Sequence, residues 1–523
     1  MGMHSSVYQY ENPSESKINS WLDFNKSILD KISKTSVNGR LLRVQIQGEI
    51  DKWTKEQPHL TSLSFYTRLL ISAIPRVQEA DFLTRIEKTD LTCQRLYELL
   101  QISKAAKSNL KSIKKGEAKR GISQLNALIQ YLDTDLKSDM ESHASGCDYI
   151  ESSNELRESI EQLIDHINKH LVDRATDSSP ILGRAEYARR LALYTDSSLT
   201  PEALADMALK EINQVRALMA EVARQYLSEK YPDEPLTGTS EELTKRALAD
   251  MEKDAPLNAA DYLAFWQDLA KGATTFIEKH EIATLPENNT LEIKTAPESA
   301  GAAARIGWVA SAPPFDPNPV TTLFLPSIPE TLPKQEQIDF WASFNKPFNR
   351  MIVIHELLPG HYMQMKISRE SPHPVRLLFP FGIYTEGWAT FTERVLLDAG
   401  WEKGQHLTML AHLRKRLENA NRAYTSVKVH TSEWTQAQVM DFSVNTSLVA
   451  PQFAKSLWGR LMRSPMQLTS YFLGGAQFSK LLDTERARLG EKFDLKFFMD
   501  TIMKSGPIPI DEFYDIFEKS ISK

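Results

Sequence analysis

The chain has 523 residues, a formal net charge of −6 at pH 7, 41% hydrophobic and 25% charged residues, and only 21 glycines. A chain of this length buries a large core, and this composition favours helix over sheet. The acidic balance, with no basic stretch studded by aromatic residues, excludes a general nucleic-acid binder, and no run of 18 apolar residues exists to span a membrane.

The start, "MGMHSSVYQYENPSESK", has no apolar signal core, which leaves the compartment open between the cytoplasm and export with a signal already removed. Cys93 and Cys147 are the only cysteines. They match neither a zinc knuckle nor a disulfide framework, so a buried reduced thiol is expected of each. The basic run "KSNLKSIKKGEAKR" (107–120) reads as a solvated helix face.

From residue 15 to about 285 helix follows helix. "ISQLNALIQYLDTDL" sets Ile122, Leu125, Ile129, Leu132 and Leu136 on one stripe, and the next such segment does the same with Leu156, Ile160, Leu163, Ile167 and Leu171. His166 and His170 share that second helix at metal-capable spacing. No acidic motif accompanies them, so a polar shoulder beside the stripe is expected. Thr200 followed by Pro201 reads as the N-cap and first residue of a long helix ending near residue 231.

The character changes near residue 286. Three short β-like runs appear, Leu291–Thr295, Arg305–Ala310 and Thr321–Leu325, with a Pro-rich loop between the last two. The third, "TTLFLP", is expected to offer an exposed edge that could pair with an extended peptide. Helices then resume to the end. The expected fold is mainly α, with a helical lobe over 1–285 and a second part over 286–523 holding one small sheet beside a cleft.

Within that second part stands "MIVIHELLPGHYMQ" (351–364). His355 and Glu356 begin a His-Glu-x-x-His zinc motif, but His361 arrives two residues late. In a regular helix, residues six apart lie about 120° round and about 9 Å along the axis, too far for both imidazoles to reach zinc at about 2.0–2.1 Å. This helix cannot be regular. Pro359 lacks an N–H and its ring collides with the carbonyl of His355, while Gly360 takes backbone angles closed to other residues. Together they let two extra residues loop out and return His361 to the His355 face. The alternative is a Pro-Gly helix end with two incidental histidines.

"YTEGWATFTERVLLDAG" (384–400) supplies the rest. Glu386 and Glu393 are seven apart on one side of an amphipathic helix. Glu386 is the expected third metal ligand, and Glu393 the carboxylate that orients a ligand histidine through its free ring nitrogen. For Glu393 a solvated face beside Arg394 fits as well.

"HELLPGHYMQ" followed by "YTEGWATFTE" resembles the domain-of-unknown-function 885 family, with its His-Glu-x-x-Pro-Gly-His and Tyr-x-Glu-Gly-Trp-Ala segments. "LYTDSSLTPEALADMALKEI" (193–212) is similar to the family's helical lead-in, and "RSPMQLTSYFLGGAQFSKLLDTER" (463–486) to its Pro-x-Gln-x-x-x-Tyr-x-x-Gly segment. The resemblance spans about 20–523. It implies a two-lobed helical metallopeptidase of the gluzincin-like class, with His355, His361 and Glu386 on Zn2+, Glu356 as general base, and Tyr471 as an oxyanion donor. Relatives usually read Val-Asp-x-Gly-x-His where this chain has "TSVKVH" (425–430), so Ser426 and Lys428 stand in place of Asp and Gly. His430 is retained as a second oxyanion candidate, although an ordinary polar helix residue fits it equally well. For Tyr471 a core aromatic is the other reading.

The expected activity is therefore zinc-dependent hydrolysis of short peptides near one end, of carboxypeptidase or dipeptidase type. Arg422, Arg463 and Arg486 are candidates for gripping a terminal carboxylate. Two rivals use the same residues differently: a zinc hydrolase of a non-peptide amide or ester, and a helical binding protein with a structural metal. A serine hydrolase is not expected, because no Gly-x-Ser-x-Gly elbow occurs.

Overall fold

A computed structural model describes residues 10, 13–78, 80, 82–141, 148–175, 181–287, 290–297, 304–312, 314–316 and 319–521. These residues form two compact units, one ending at 175 and the other beginning at 181. Both are mainly helical, and the second carries one three-stranded sheet.

In the first unit both apolar stripes face inward. Leu125, Leu132 and Leu136 are buried with Ile122 and Ile129 packed against them, and Leu156, Ile160, Leu163, Ile167 and Leu171 are all buried. Partners come from Leu63–Gln78 and Arg85–Asn109, the latter opened by a full capping box on Thr84 and Glu87. His166 and His170 sit with ring centroids 5.1 Å apart, and neither belongs to a group that could hold a metal ion among the described residues. Cys93 is disulfide-bonded, which corrects the reduced thiol expected of it; Cys147 lies outside the described residues.

The second unit begins about a hundred residues earlier than the change of sequence character near 286. Packing explains the difference. Helix Pro201–Lys230, capped by Thr200 as expected, lies along His406–Ser432. Ala208, Ile212, Val215 and Met219 share one core with Leu410, Leu417, Ala420 and Val427. The helices between 184 and 279 thus belong with the motif helices, although they read like the helices before them.

In the sheet, β1 (Leu291–Thr295) runs parallel to β3 (Thr321–Leu325), and β2 (Trp308–Ala310) pairs antiparallel on its other side, with Leu291 opposite Thr321 and Trp308 opposite Phe324. The order β1-β3-β2 makes β3 the central strand. Both of its edges are paired, so the expected docking edge on "TTLFLP" does not exist. The second run is also shorter than expected, since Ala304–Ile306 form a turn.

Helix Lys346–Glu356 is fixed from its start. Asn345 caps it by accepting from the Phe348 N–H, and Pro347 fits the first turn. Buried Asn349 anchors the shaft: its Oδ1 accepts from Tyr262 Oη at 2.7 Å and Trp266 Nε1 at 3.0 Å, and its Nδ2 donates to the Phe344 and Asn345 carbonyls. Every polar atom of that amide is used, as a buried amide requires.

Candidate metal centre

The helix carrying His355 stops at Glu356, and a new helix, His361–Ser368, starts after four intervening residues. Between them the chain makes a tight loop. The Leu357 and Leu358 N–H groups both reach the Val353 carbonyl, and the Gly360 N–H reaches the Ile354 carbonyl at 3.0 Å. The Leu358–Pro359 peptide is cis. Buried Trp388 closes the loop from outside by donating its indole N–H to the Pro359 carbonyl at 2.9 Å. Gly360 is required by proximity: a Cβ there would lie 1.9 Å from the His355 carbonyl oxygen.

The loop brings the two histidines back together. Their ring centroids are 4.9 Å apart and the rings nearly perpendicular. Glu386, in the first turn of helix Tyr384–Asp398, faces both: its Oε2 lies 3.3 Å from His361 Nε2 and 3.7 Å from His355 Nε2. One donor atom from each residue falls within 4.8 Å of the others, and this is the single such group among the described residues. His361 Nδ1 is buried without a hydrogen-bond partner.

Glu393 lies fully buried behind the cluster and joins two histidines, His355 Nδ1 at 2.9 Å and His412 Nδ1 at 3.0 Å. With Nδ1 of His355 donating to Glu393, its Nε2 is the nitrogen turned toward Glu386 and His361. Burial lowers the basicity of His355, but Glu386, Glu393 and Glu356 outweigh it and lift the imidazole to about 9. Burial likewise opposes ionisation of both glutamates. The facing histidines overcome it, holding Glu393 at about 2 and Glu386 well below the usual carboxylate range. The cluster is thus two imidazoles among three carboxylates, and it favours a positive charge at its centre. Its donor set of two nitrogens and one carboxylate oxygen suits zinc. Half-buried Glu356 stands next to His355 in the chain, and its carboxylate takes no hydrogen bond from a described residue.

Tyr471 lies on the far side of Glu386, on helix Gln467–Leu489. Its hydroxyl accepts from Gln467 Nε2 at 2.9 Å and Arg460 Nη2 at 3.4 Å, and the Arg422 guanidinium stacks 4.8 Å from its ring centre. Gln467 Nε2 also donates to Glu386 Oε1 at 3.2 Å. Burial, then the Glu386 charge, raises the Tyr471 phenol above its ordinary value. Tyr194, pushed up to about 12 by burial, also feels the charge on Glu386, and its hydroxyl donates to the Gly382 carbonyl.

His430 is not part of this arrangement. Its Nε2 donates to the Leu461 carbonyl at 3.0 Å, its Nδ1 accepts the Leu182 N–H at 3.2 Å, and its ring stacks on Tyr187. Both nitrogens are occupied, and burial lowers its basicity, so it is a neutral scaffold residue. Ser426 serves the same scaffold, between the Tyr187 hydroxyl and the Pro465 carbonyl. Of the three arginines singled out in sequence, Arg422 is the one that touches Tyr471. Arg463 is exposed and Arg486 packs on Phe493.

Sequence reading missed His412, Gln467, Arg460 and Tyr194. Gln467 carried a signal: it is the Gln of the Pro-x-Gln-x-x-x-Tyr segment, four residues before Tyr471 and on the same helix face. The other three have no local pattern.

The sequence profile of a family described as bacterial protein of unknown function (DUF885) matches residues 1–514. No curated protein matches the chain. Among solved structures, it is similar to one from Shewanella oneidensis, provisionally described as a lipoprotein of unknown function. That match has a TM-score of 0.84 at 19% identity, covering 99% of this chain and 95% of that one. A second, provisionally described as a lipoprotein from Colwellia psychrerythraea, matches with a TM-score of 0.70 at 17% identity, covering 97% and 91%. At these identities the likeness is one of fold.

Proposed function

We propose that the chain, which belongs to the family of bacterial proteins of unknown function (DUF885), is a zinc-dependent peptidase acting on short peptides. The observation that carries this reading is the convergence of His355, His361 and Glu386 on one point, with a carboxylate, Glu356, adjacent in the chain. Zinc held there would lower the pKa of a water towards about 7 and polarise a substrate carbonyl.

The chain's own residues supply the remaining parts. Glu356 takes a proton from the attacking water on a carboxylate oxygen and returns it to the leaving amine. Glu393 holds His355 in the orientation that turns Nε2 to the centre, and is itself held by His412. The lone pairs of the Tyr471 hydroxyl are taken by Gln467 and Arg460, which leaves its proton for Glu386 or for a developing oxyanion. His355 and Glu393 are buried, and His361 and Glu386 show only 12% and 23% of their side chains to solvent. So recessed a cluster suits an extended peptide better than the surface of a folded protein.

The test is Glu356→Gln, which removes the proton acceptor and keeps the shape. Elemental analysis should find stoichiometric zinc in wild type and variant, while turnover of mixed short peptides, read by mass spectrometry, falls about 10²–10⁴-fold. Variant activity within a few-fold of wild type would remove Glu356 as the base. Wild type that holds metal and cuts no peptide would refute the peptidase reading and favour a binding protein or another hydrolase.

A further inference from the structure

The cluster beside Tyr471 contains a cation that no carboxylate of the described residues pairs with. Arg422 is compensated: its guanidinium reaches Glu418 at 3.4 Å and Asn419 at 3.1 Å. Arg460 is not. It is half-buried in the last turn of helix Pro451–Arg463, and its two side-chain hydrogen bonds go to neutral groups, Gln467 Oε1 at 3.2 Å and the Tyr471 hydroxyl at 3.4 Å. Among the described residues no carboxylate pairs with it. A helix-end arginine can gain from the helix dipole alone, but this one turns its Nη2 across to the neighbouring helix, toward the metal-centre side chains.

Its place relative to the metal centre is tightly bounded. Arg460 reaches Gln467, and the other end of the same amide reaches Glu386 at 3.2 Å. Two hydrogen bonds and the width of one amide therefore separate the guanidinium from the Glu386 carboxylate, which is at most roughly 9 Å. An extended chain spans about 3.3–3.6 Å per residue, so at most two whole residues fit in this gap.

We infer that Arg460, set by Gln467 and Tyr471, is a specificity residue that binds the free C-terminal carboxylate of a peptide. This deepens the peptidase reading above and rests on it for the position of the scissile bond. The subsite makes the enzyme act at the C-terminal end, releasing the last one or two residues. A planar guanidinium matches a carboxylate in a two-pronged contact that a Lys ammonium does not reproduce. The Arg422 charge, stacked on the Tyr471 ring, adds to the attraction for an anion without leaving its own partner.

The experiment measures binding apart from turnover. N-acetyl-trialanine and its C-terminal carboxamide are titrated calorimetrically onto zinc-loaded Glu356→Gln protein. The acid is expected to bind about 10- to 100-fold more tightly than the amide, the size of one charge-assisted hydrogen bond. Adding Arg460→Met should abolish that preference, and Arg460→Lys should keep part of it. Equal affinity for acid and amide, or a preference that survives Arg460→Met at equal zinc content, overturns the inference. If Arg460→Met does not fold, an undiminished preference in Arg460→Lys overturns it. Wild-type digestion of a longer acetylated peptide should yield a ladder shortened from the C-terminus; release from the N-terminal side alone also overturns it. Acid preference without hydrolysis of any peptide would sink the peptidase reading and leave the carboxylate subsite, whereas hydrolysis that ignores the C-terminal group would do the reverse.

Discussion

Replacing Gly360 by Ala adds one methyl group where the loop between His355 and His361 has no room. The new Cβ would lie 1.9 Å from the His355 carbonyl oxygen, 2.3 Å from that of Ile354 and 2.5 Å from the His355 carbonyl carbon. All three are backbone atoms of the helix that presents His355, so no side chain can swing aside. The closest contact has to open by about 1 Å before it reaches even the tightest distance real Cβ atoms tolerate. Either the Gly360 N–H lets go of Ile354, or the end of helix Lys346–Glu356 shifts with His355 on it. Overpacking of this kind costs about 1–3 kcal/mol. The functional loss is larger, because an ångström at either end separates donors that now lie within 4.8 Å. Gly360→Ala should keep its helical circular dichroism, melt lower, and bind zinc at least about tenfold more weakly in competition with a chelator. A variant with wild-type zinc affinity and melting temperature would refute the claim that this close approach sets the ligand geometry.

Three further outcomes are expected. His361→Ala should lose stoichiometric zinc by elemental analysis, and unchanged zinc would remove His361 from the ligand set. His430→Ala should keep its zinc and its turnover but lose roughly 2–4 kcal/mol of stability to denaturant, because it leaves the Leu182 N–H and the Leu461 carbonyl without their partner and opens a cavity; lost turnover at unchanged stability would restore His430 as an oxyanion donor. Burial opposes the Glu418 charge, but Lys415 and Arg422 overcome it and hold the carboxyl at about 2, below its ordinary 4.5. A depressed carboxylate stabilises the fold fully above the unfolded pKa and loses that contribution as pH falls through the folded one. Glu418→Gln should therefore cost up to about 3 kcal/mol at pH 7, with the gap to wild type closing between about pH 4.5 and 2; a gap independent of pH would show that the charge is not what matters.

What the sequence disclosed follows from which interactions are local. The stripes Leu125–Leu136 and Leu156–Leu171 were readable because helix period alone decides which residues turn inward. The return of His361 was readable because Pro359 and Gly360 alter the backbone at the point where the spacing fails. Glu386 and Glu393 stand out through their shared helix face. His412 meets Glu393 from another helix, and Arg460 meets Gln467 across a turn and a helix packing; neither has a periodic partner nearby in the chain. Strand order is equally non-local. "TTLFLP" alternates like an edge strand, yet it is flanked on both sides by chain that precedes it in sequence. The unit boundary was hidden for the same reason, since helices 184–279 have the texture of those before them and differ only in what they pack against.

The Glu386 side of the His-His-Glu cluster depends on a helix contact that no motif advertises as such. A Cβ on Gly387 would fall 2.4 Å from Gly474 Cα, and one on Gly474 would fall 2.2 Å from the Ile383 carbonyl oxygen. Helices Tyr384–Asp398 and Gln467–Leu489 therefore touch backbone to backbone at these two glycines. Aromatic packing of Tyr384, Trp388 and Phe391 against Phe478 holds that approach on one flank. On the other flank, Glu386 adjoins Gly387, and Tyr471 and Gln467 precede Gly474 by about one and two turns. Glu386 is a short reach from Gln467 because the glycines let the helices meet. The Gly of Glu-Gly-Trp and the Gly of Tyr-x-x-Gly are thus two halves of one contact, and Glu386 on the first helix meets the Gln467, Tyr471 and Arg460 group through it.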